Sequence, residues 1–210
     1  MTREASHWLK PPGPVADGLS IGLLGGSFNP PHEGHLHISE MALKRLGLDY
    51  VWWLVSPQNP LKSSRNTAPI DKRMALATKL VHERRVIVTD AERALGTQFT
   101  IDTLEALVKR FPQVRFVWLM GSDNLASFHH WKDWPRIVAL MPVAVVMRPG
   151  SMLAPLQAKA MQRFWDARRK HMRGFVGVTP PAFVVVGGRR NAQSSTALRE
   201  VGRAPALVVD

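Results

Sequence analysis

The sequence of 210 residues predicts an α/β protein whose single parallel β-sheet is covered by helices on both faces. Two observations support this fold class. Short apolar runs recur along the chain, and segments with helical periodicity separate them. Strands of a parallel sheet are buried on both faces and therefore appear as short, continuous apolar runs, which is the pattern seen here.

The predicted strands are apolar runs bounded by glycine, proline or polar residues. The first, at residues 21–24, precedes the pair Gly25-Gly26, and the third is the β-branched run Val-Ile-Val-Thr at residues 86–89. In chain order, we predict strands at residues 21–24, 51–55, 86–89, 115–120, 143–147 and 183–186.

Helices are predicted between these strands. The clearest covers residues 100–111, where Ile101, Leu104 and Leu107 fall on one face. Gly47 ends the first helix, because glycine is the usual residue just past a helix C-terminus. In chain order, we predict helices at residues 36–46, 70–83, 100–111, 134–141 and 153–171.

Length and composition are typical of one globular domain, with 45% hydrophobic and 21% charged residues. Residues 1–18 contain four prolines or glycines in a row at 11–14 and little periodicity, so we expect a tail followed by one domain at residues 19–210. No apolar run approaches the roughly 18 residues of a membrane span, and no apolar leader is evident. With no cysteine in the chain, we expect a cytoplasmic protein without a membrane partner.

The net charge of +12 raises the alternative of nucleic-acid binding. No RNP-like aromatic motif or zinc finger accompanies it, so nucleic acid is not the partner we expect. A basic surface that attracts anionic nucleotides explains the charge equally well. For residues 168–173 we favour a third interpretation, a solvated basic helix face.

The residues from Gly25 to His35 carry the most functional information. Two glycines end a predicted strand, and without Cβ atoms they let the backbone approach a ligand. His32 and His35 then fall at the start of a helix, whose free N–H groups and partial positive charge favour phosphate. The order strand, glycine turn, paired histidines and helix therefore predicts a nucleotide triphosphate site.

Better-known motifs do not fit this segment. Neither the Gly-x-Gly-x-x-Gly fingerprint nor a Gly-Lys-Ser/Thr P-loop is present. His32-Glu33-Gly34-His35 is one residue short of the zinc-protease spacing, and no cysteine could complete a thiolate site. We therefore expect no protein-held metal.

Residues at both ends of the domain resemble the HxGH nucleotidyltransferase superfamily. The first signature is His32-x-Gly34-His35 after Gly25-Gly26-Ser27-Phe28, and the second is Ser194-Ser195-Thr196-Ala197-Leu198-Arg199. The resemblance implies a Rossmann-like sheet and catalytic roles for His32, His35 and Arg199. It also implies an ATP site, for which the candidates are Gly25, Gly26, Ser27, Phe28, Lys62, Gly121, Asp123, Ser195 and Thr196.

Four further segments resemble bacterial nicotinate-nucleotide adenylyltransferases over much of the chain. Lys132 departs from the pattern, since an aromatic residue often follows the tryptophan before it. The segments are Pro57-Gln58-Asn59-Pro60-Leu61-Lys62, Arg73-Met74-Ala75-Leu76-Ala77, Thr97-Gln98-Phe99-Thr100-Ile101-Asp102-Thr103-Leu104, and Gly121-Ser122-Asp123-Asn124-Leu125 with Phe128, Trp131 and Trp134.

This resemblance implies transfer of AMP from ATP to nicotinate mononucleotide, with Mg2+ bound through the ATP phosphates. Thr100, Trp131 and Arg148 are the candidate acceptor-binding residues. Asp102 is expected to turn away from the acceptor carboxylate. The expected partners are the two nucleotides, and a homo-oligomer stays open.

Two alternatives remain at this point. The chain could be another transferase of the superfamily, such as a phosphopantetheine adenylyltransferase, although the Thr100 and Trp131 segments argue against it. It could also be a basic RNA-binding protein with a degenerate nucleotide fold, for which binding would depend steeply on salt.

Overall fold

A computed structural model describes residues 11–57, 67–147 and 158–187. Its centre is one seven-stranded sheet in which every pair of neighbouring strands is parallel. The strands are β1 (Ser20–Gly26), β2 (Tyr50–Val55), β3 (Val86–Thr89), β4 (Arg115–Gly121), β5 (Val143–Val146), β6 (Arg168–Arg169) and β7 (Phe183–Val186).

Seven α-helices connect or follow the strands in the described residues. Short 3-10 turns at Phe128–His130, Trp165–Ala167 and Phe175–Gly177 complete the regular structure. The helices are α1 (Glu33–Leu46), α2 (Ile70–Leu80), α3 (Ala91–Leu95), α4 (Thr100–Arg110), α5 (Ser122–Ser127), α6 (Trp134–Leu140) and α7 (Lys159–Arg163).

The strand order β3-β2-β1-β4-β5-β7-β6 places β1 between β2 and β4. Leu24 of β1 lies opposite Trp53 on one side and Leu119 on the other. The chain runs outward from β1 first in one direction and then in the other, so the carboxyl ends of β1 and β4 form the topological switch point. Ligands of open α/β sheets bind in the crevice at such a point.

Side chains that alternate along the strands fill two hydrophobic layers, one on each face of the sheet. Trp52 and Trp118 belong to one layer, and Trp53 belongs to the other; all three are at most 1% exposed. A sheet buried on both faces explains why the strands are continuously apolar in sequence. Among the described helices, none is long and apolar enough to cross a membrane.

The predicted fold class is confirmed, and all six predicted strands are present within two residues at each end. The first helix begins at Glu33 rather than residue 36, because His32 caps it. The second helix ends at Leu80, three residues early, and the helices α3 and α5 were not predicted. Both are short, with five and six residues, and helices of one turn leave little periodicity to detect.

The helix predicted at residues 153–171 is wrong within its described part. After the five residues of α7 the chain forms a 3-10 turn and then the edge strand β6. Arg168 and Arg169 lie opposite Phe183 and Val184 of β7, so the solvated helix face predicted for residues 168–173 is also wrong. Pairing with an existing sheet edge outweighs local helical preference here.

The described part of the N-terminal segment contacts the domain. Val15 packs against the core, and its carbonyl accepts a hydrogen bond of 2.9 Å from the Gln113 amide. The backbone N–H of Gly18 donates to the Gln113 carbonyl at 3.1 Å.

Candidate active site

The turn after β1 is built around Gly25 and Gly26. A Cβ on Gly25 would lie 2.5 Å from the Trp118 ring, which is closer than such atoms approach. A Cβ on Gly26 would make ordinary contact with the Phe28 ring at 3.4 Å. At Gly25 the missing side chain therefore makes room for a core tryptophan, a reason for glycine that the sequence analysis did not identify.

Phe28 packs its ring against His35 and Trp53. Its backbone adopts φ +47°, a left-handed conformation that is uncommon outside glycine, and its ring is fully buried. The ring centroid lies 4.4 Å from that of His35 and 4.9 Å from that of Trp53. The Trp53 indole N–H donates to Ser39 Oγ at 2.7 Å, and that hydroxyl donates to the His35 carbonyl at 3.0 Å. His35 thus packs against two buried aromatic rings, Phe28 and Trp53, and His32 packs against His35.

His32 and His35 cap α1 reciprocally. His32 Nδ1 accepts from the Gly34 N–H at 3.1 Å, and His35 Nδ1 accepts from the His32 N–H at 3.2 Å. The ring centroids lie 3.8 Å apart, and His32 is 4% exposed. Since both Nδ1 atoms accept, each neutral ring carries its proton on Nε2. The cap therefore fixes two Nε2–H donors at the start of a helix, next to the glycine turn.

Arg73 of α2 is buried beside this turn, with 1% of its surface exposed. Its guanidinium donates to the carbonyls of Ser27 at 2.6 Å and Ser56 at 2.7 Å. It also donates to the carbonyls of Pro57 at 2.8 Å and Ala68 at 2.7 Å. One side chain therefore fixes the segments that follow β1 and β2 and the segment that precedes α2.

Glu92 of α3 is a second buried charged group at this edge of the sheet, 5% exposed. Burial raises its pKa to about 7, although a hydrogen bond from the Ser56 side chain and the charge of Arg73 both act to lower the pKa. Burial likewise lowers the pKa of Arg73, and the charge of Glu92 opposes that shift. The two groups compensate each other in a water-poor region.

Neither Arg73 nor Glu92 was assigned a functional role from the sequence. A signal was present for Arg73: within α2 the buried positions are Arg73 and Ala77, four residues apart on one face. A charged residue on the inward face of a helix is uncommon and indicates a buried polar network.

The end of β4 lies next to the turn after β1. Gly121 closes the strand, and Asp123 is exposed in the first turn of α5. A carboxylate at this position can accept hydrogen bonds from a ligand at the switch point.

A second group of candidate residues lies at the start of α4. Thr100 is its first residue, and the N-cap residue, Phe99, makes no side-chain capping hydrogen bond. Trp131 is half-buried and contacts Trp118 and Phe128 edge-on, with ring centroids 6.0 and 5.4 Å apart. Trp131 directly precedes Lys132, whose side chain contacts residues at the start of α4.

Lys132 joins the two parts of that region. Its ammonium contacts both Asp102 carboxylate oxygens, at 3.3 and 3.2 Å, and lies 4.5 Å from the centre of the Phe99 ring. The expectation that Asp102 turns away from an acceptor carboxylate stays a prediction; in the structure its carboxylate pairs with the Lys132 ammonium. Both side chains are about two-fifths exposed, so the pair is open to solvent.

Several predicted site residues lie outside the described ranges. They are Lys62, Arg148, Ser195, Thr196 and Arg199. Within residues 11–57, 67–147 and 158–187, no three histidine, aspartate or glutamate side chains are grouped closely enough to hold a metal ion.

The chain is similar to known proteins in sequence and in fold. The cytidylyltransferase-like family model matches residues 23–201. A protein of Parvibaculum lavamentivorans named "Probable nicotinate-nucleotide adenylyltransferase" is 50% identical over 192 residues, which cover 90% of this chain and 94% of that relative. A protein of the same name from Rhizobium meliloti is 48% identical over 86% of this chain and 97% of its own length.

Solved structures share the fold. The nicotinic acid mononucleotide adenylyltransferase of Plasmodium falciparum, solved in complex with NaAD, superposes with a TM-score of 0.66 at 16% identity. The same protein in complex with APC gives a TM-score of 0.64 at 14% identity. Each comparison covers 87% of this chain and 83% of that protein.

Proposed function

This chain belongs to the nicotinate-nucleotide adenylyltransferase family, and from that premise we propose that it transfers AMP from ATP to nicotinate mononucleotide. The products are nicotinic acid adenine dinucleotide and pyrophosphate, a step of NAD biosynthesis. One observation carries the proposal: the reciprocal cap holds two histidine rings at a helix start that follows β1, at the switch point of the sheet.

The reaction needs little from the protein beyond positioning and charge stabilisation. The nucleophile is the acceptor phosphate, which is already ionised at neutral pH, and it attacks the α-phosphorus of ATP while pyrophosphate departs. His32 and His35 donate from Nε2 to phosphate oxygens whose negative charge grows during the transfer. Because the cap holds both rings before substrate arrives, the donors need no rearrangement during the reaction.

Other groups complete the proposed ATP site. Arg199 would clamp the departing pyrophosphate with its planar fork, and Ser195 and Thr196 would add donors. Lys62 would approach the phosphates, and Asp123 would accept from a ribose hydroxyl. Bound Mg2+ would reduce the repulsion between the phosphates. The Arg199→Lys variant should lose activity, because lysine keeps the charge but loses the bidentate geometry.

The acceptor is proposed to bind at the start of α4. The nicotinate carboxylate would accept from the amides near Thr100, Trp131 would contact the pyridine ring, and Arg148 would contact the phosphate. An anion is favoured at this helix end, so nicotinate mononucleotide should be used better than its amide.

The test is pyrophosphate release from ATP with a panel of acceptor phosphates. We expect nicotinate mononucleotide to give the highest kcat/KM, nicotinamide mononucleotide a much lower one, and phosphopantetheine none. Equal kcat/KM values for the two pyridine nucleotides would contradict the acceptor assignment. RNA binding measured across salt concentrations is the control for the basic surface, and a steep salt dependence would support the nucleic-acid alternative.

A further inference from the structure

The buried Arg73 guanidinium joins three backbone segments at the carboxyl edge of the sheet. Its acceptors are the carbonyls of Ser27, Ser56, Pro57 and Ala68. A guanidinium has five N–H donors, and this one uses four of them on backbone atoms. We call the Arg73 side chain a backbone clamp, because without it each of these four carbonyls would be free to turn towards water.

Burial makes this clamp costly to remove. The four carbonyls face a charged donor in a water-poor region, where such hydrogen bonds are stronger than neutral ones. Without the guanidinium, the carbonyls would need new partners or would turn outward. The charge of the Glu92 carboxylate acts to raise the pKa of Arg73 and so opposes the effect of burial.

The contact with Ser27 has a consequence for the site. The Ser27–Phe28 peptide is planar, so a carbonyl that points to Arg73 makes the Phe28 N–H point in the opposite direction. The same residue, Phe28, carries the left-handed φ of +47° and the ring beneath His35. The orientation of one peptide is therefore linked to the position of a histidine ring.

We propose that Arg73 is a positioning residue for ATP: its guanidinium holds the Ser27–Phe28 peptide, and with it the turn next to His32 and His35, in the orientation that binds phosphates. This proposal rests on the proposed function, since it assumes that ATP binds at that turn. All four hydrogen bonds of the Arg73 side chain go to backbone carbonyls. Arg73 therefore acts through the turn and not directly on the substrate.

A purely structural role predicts different kinetics. Loss of stability alone would lower the melting temperature and the fraction of active enzyme, but every molecule that stays folded would keep the wild-type KM for ATP. A positioning role changes the turn in folded molecules. It therefore raises KM for ATP while KM for the acceptor, which binds at the start of α4, stays unchanged.

The experiment compares Arg73→Lys with wild type and with Arg93→Lys. Arg93 is the matched control, because its half-exposed side chain pairs with Asp71 of α2 and with Asp90 just before α3. Lysine at position 73 keeps the charge but cannot reach four carbonyls at once. We expect KM for ATP to rise about tenfold or more in Arg73→Lys only, with KM for nicotinate mononucleotide within about twofold of wild type.

A folded Arg73→Lys variant with wild-type KM for ATP would overturn the proposal, and so would an equal rise of KM for both substrates. If this variant does not fold, Arg73→Met with Glu92→Gln carries the same test, because no unpaired charge then remains buried. Pyrophosphate release by the wild type is measured first. Its absence would refute the proposed function itself and is distinct from any result with the variants.

Discussion

The two proposed substrate regions differ in how far their characteristic side chains are exposed to solvent. At the turn after β1, Phe28 and Arg73 are at most 1% exposed, and the two histidines cap a helix and each other. At the start of α4, the N-cap residue makes no side-chain bond, and the pair Lys132–Asp102 is open to solvent. The side chains that define the first region are largely buried, whereas the second presents an exposed charge pair and one half-buried tryptophan, together with the partly buried hydroxyl contact of Thr97 and Thr103.

This difference matches what each substrate requires. Charge develops on the phosphates during the transfer, and donors stabilise that charge most when their positions are fixed in advance. The acceptor ring has only to be recognised and held, and exposed pairs worth about 0.2–1 kcal/mol suffice to bias such a choice. Substitutions in the first region should therefore impair turnover or ATP binding, and substitutions in the second should change acceptor affinity.

The largest effect is expected for His35→Ala. Loss of one preorganised donor lowers kcat by about a hundredfold to a thousandfold in comparable sites, or roughly 3 kcal/mol. Steady-state kinetics and circular dichroism would show low turnover in a folded protein. His82→Ala is the control, since that side chain is 67% exposed and pairs with Glu40 at the surface. Wild-type kcat in folded His35→Ala would remove this histidine from the mechanism.

Glu92→Gln tests whether water is excluded from the Glu92 carboxyl in the first region. Burial raises the pKa of Glu92 from 4.5 to about 7, so between these pH values the folded protein binds a proton that the unfolded chain has released. The contribution to stability is thus complete below about pH 4.5 and is lost as pH rises through 7. Its loss amounts to roughly 3 kcal/mol.

The measurement is urea unfolding of both proteins at pH 5 and pH 8. Wild type should lose about 2.5 kcal/mol more unfolding free energy than Glu92→Gln over this interval. Parallel losses in the two proteins would show that the Glu92 site admits water.

Trp131→Ala addresses the second region. Removal of one aromatic contact should raise KM for nicotinate mononucleotide about tenfold, as expected from roughly 1.5 kcal/mol for an aromatic pair, and should leave KM for ATP unchanged. Trp165→Ala is the control, because Trp165 is 51% exposed and lies beside the edge strand. A rise in KM for ATP alone would reverse the assignment of the two regions.

The smallest effect is expected for Lys132→Met. Without the ammonium, the Asp102 carboxylate in the first turn of α4 repels the nicotinate carboxylate. We expect kcat/KM for nicotinate mononucleotide to fall about twofold to fivefold, with a smaller change for the amide and a smaller loss at high salt.

Arg136→Met is the control for Lys132→Met, because Arg136 of α6 pairs with Glu105 of the same helix, α4, at 2.7 Å. Equal changes for the two acceptors in Lys132→Met would show that Lys132 does not act through charge.

The sheet was predictable because its strands are buried on both faces and therefore continuously apolar. The histidine pair was predictable as part of a helix start, because the periodic apolar segment begins at Leu36, directly after His35. The carbonyl partners of Arg73 could not be identified from sequence, because positions 27, 56, 57 and 68 are distant along the chain. The prediction of a helix at residues 153–171 was wrong because Arg168 pairs with Phe183, a tertiary contact that local sequence does not reveal.

Trp118 lies between the two regions. Its ring occupies the space that a side chain on Gly25 would need, and its other contacts include the edge of Trp131. A larger residue at position 25 would displace an indole that also supports the acceptor side. Attempts to evolve a new acceptor preference should therefore vary positions 25, 118 and 131 together, because single replacements at any one of them change the space available to the other two.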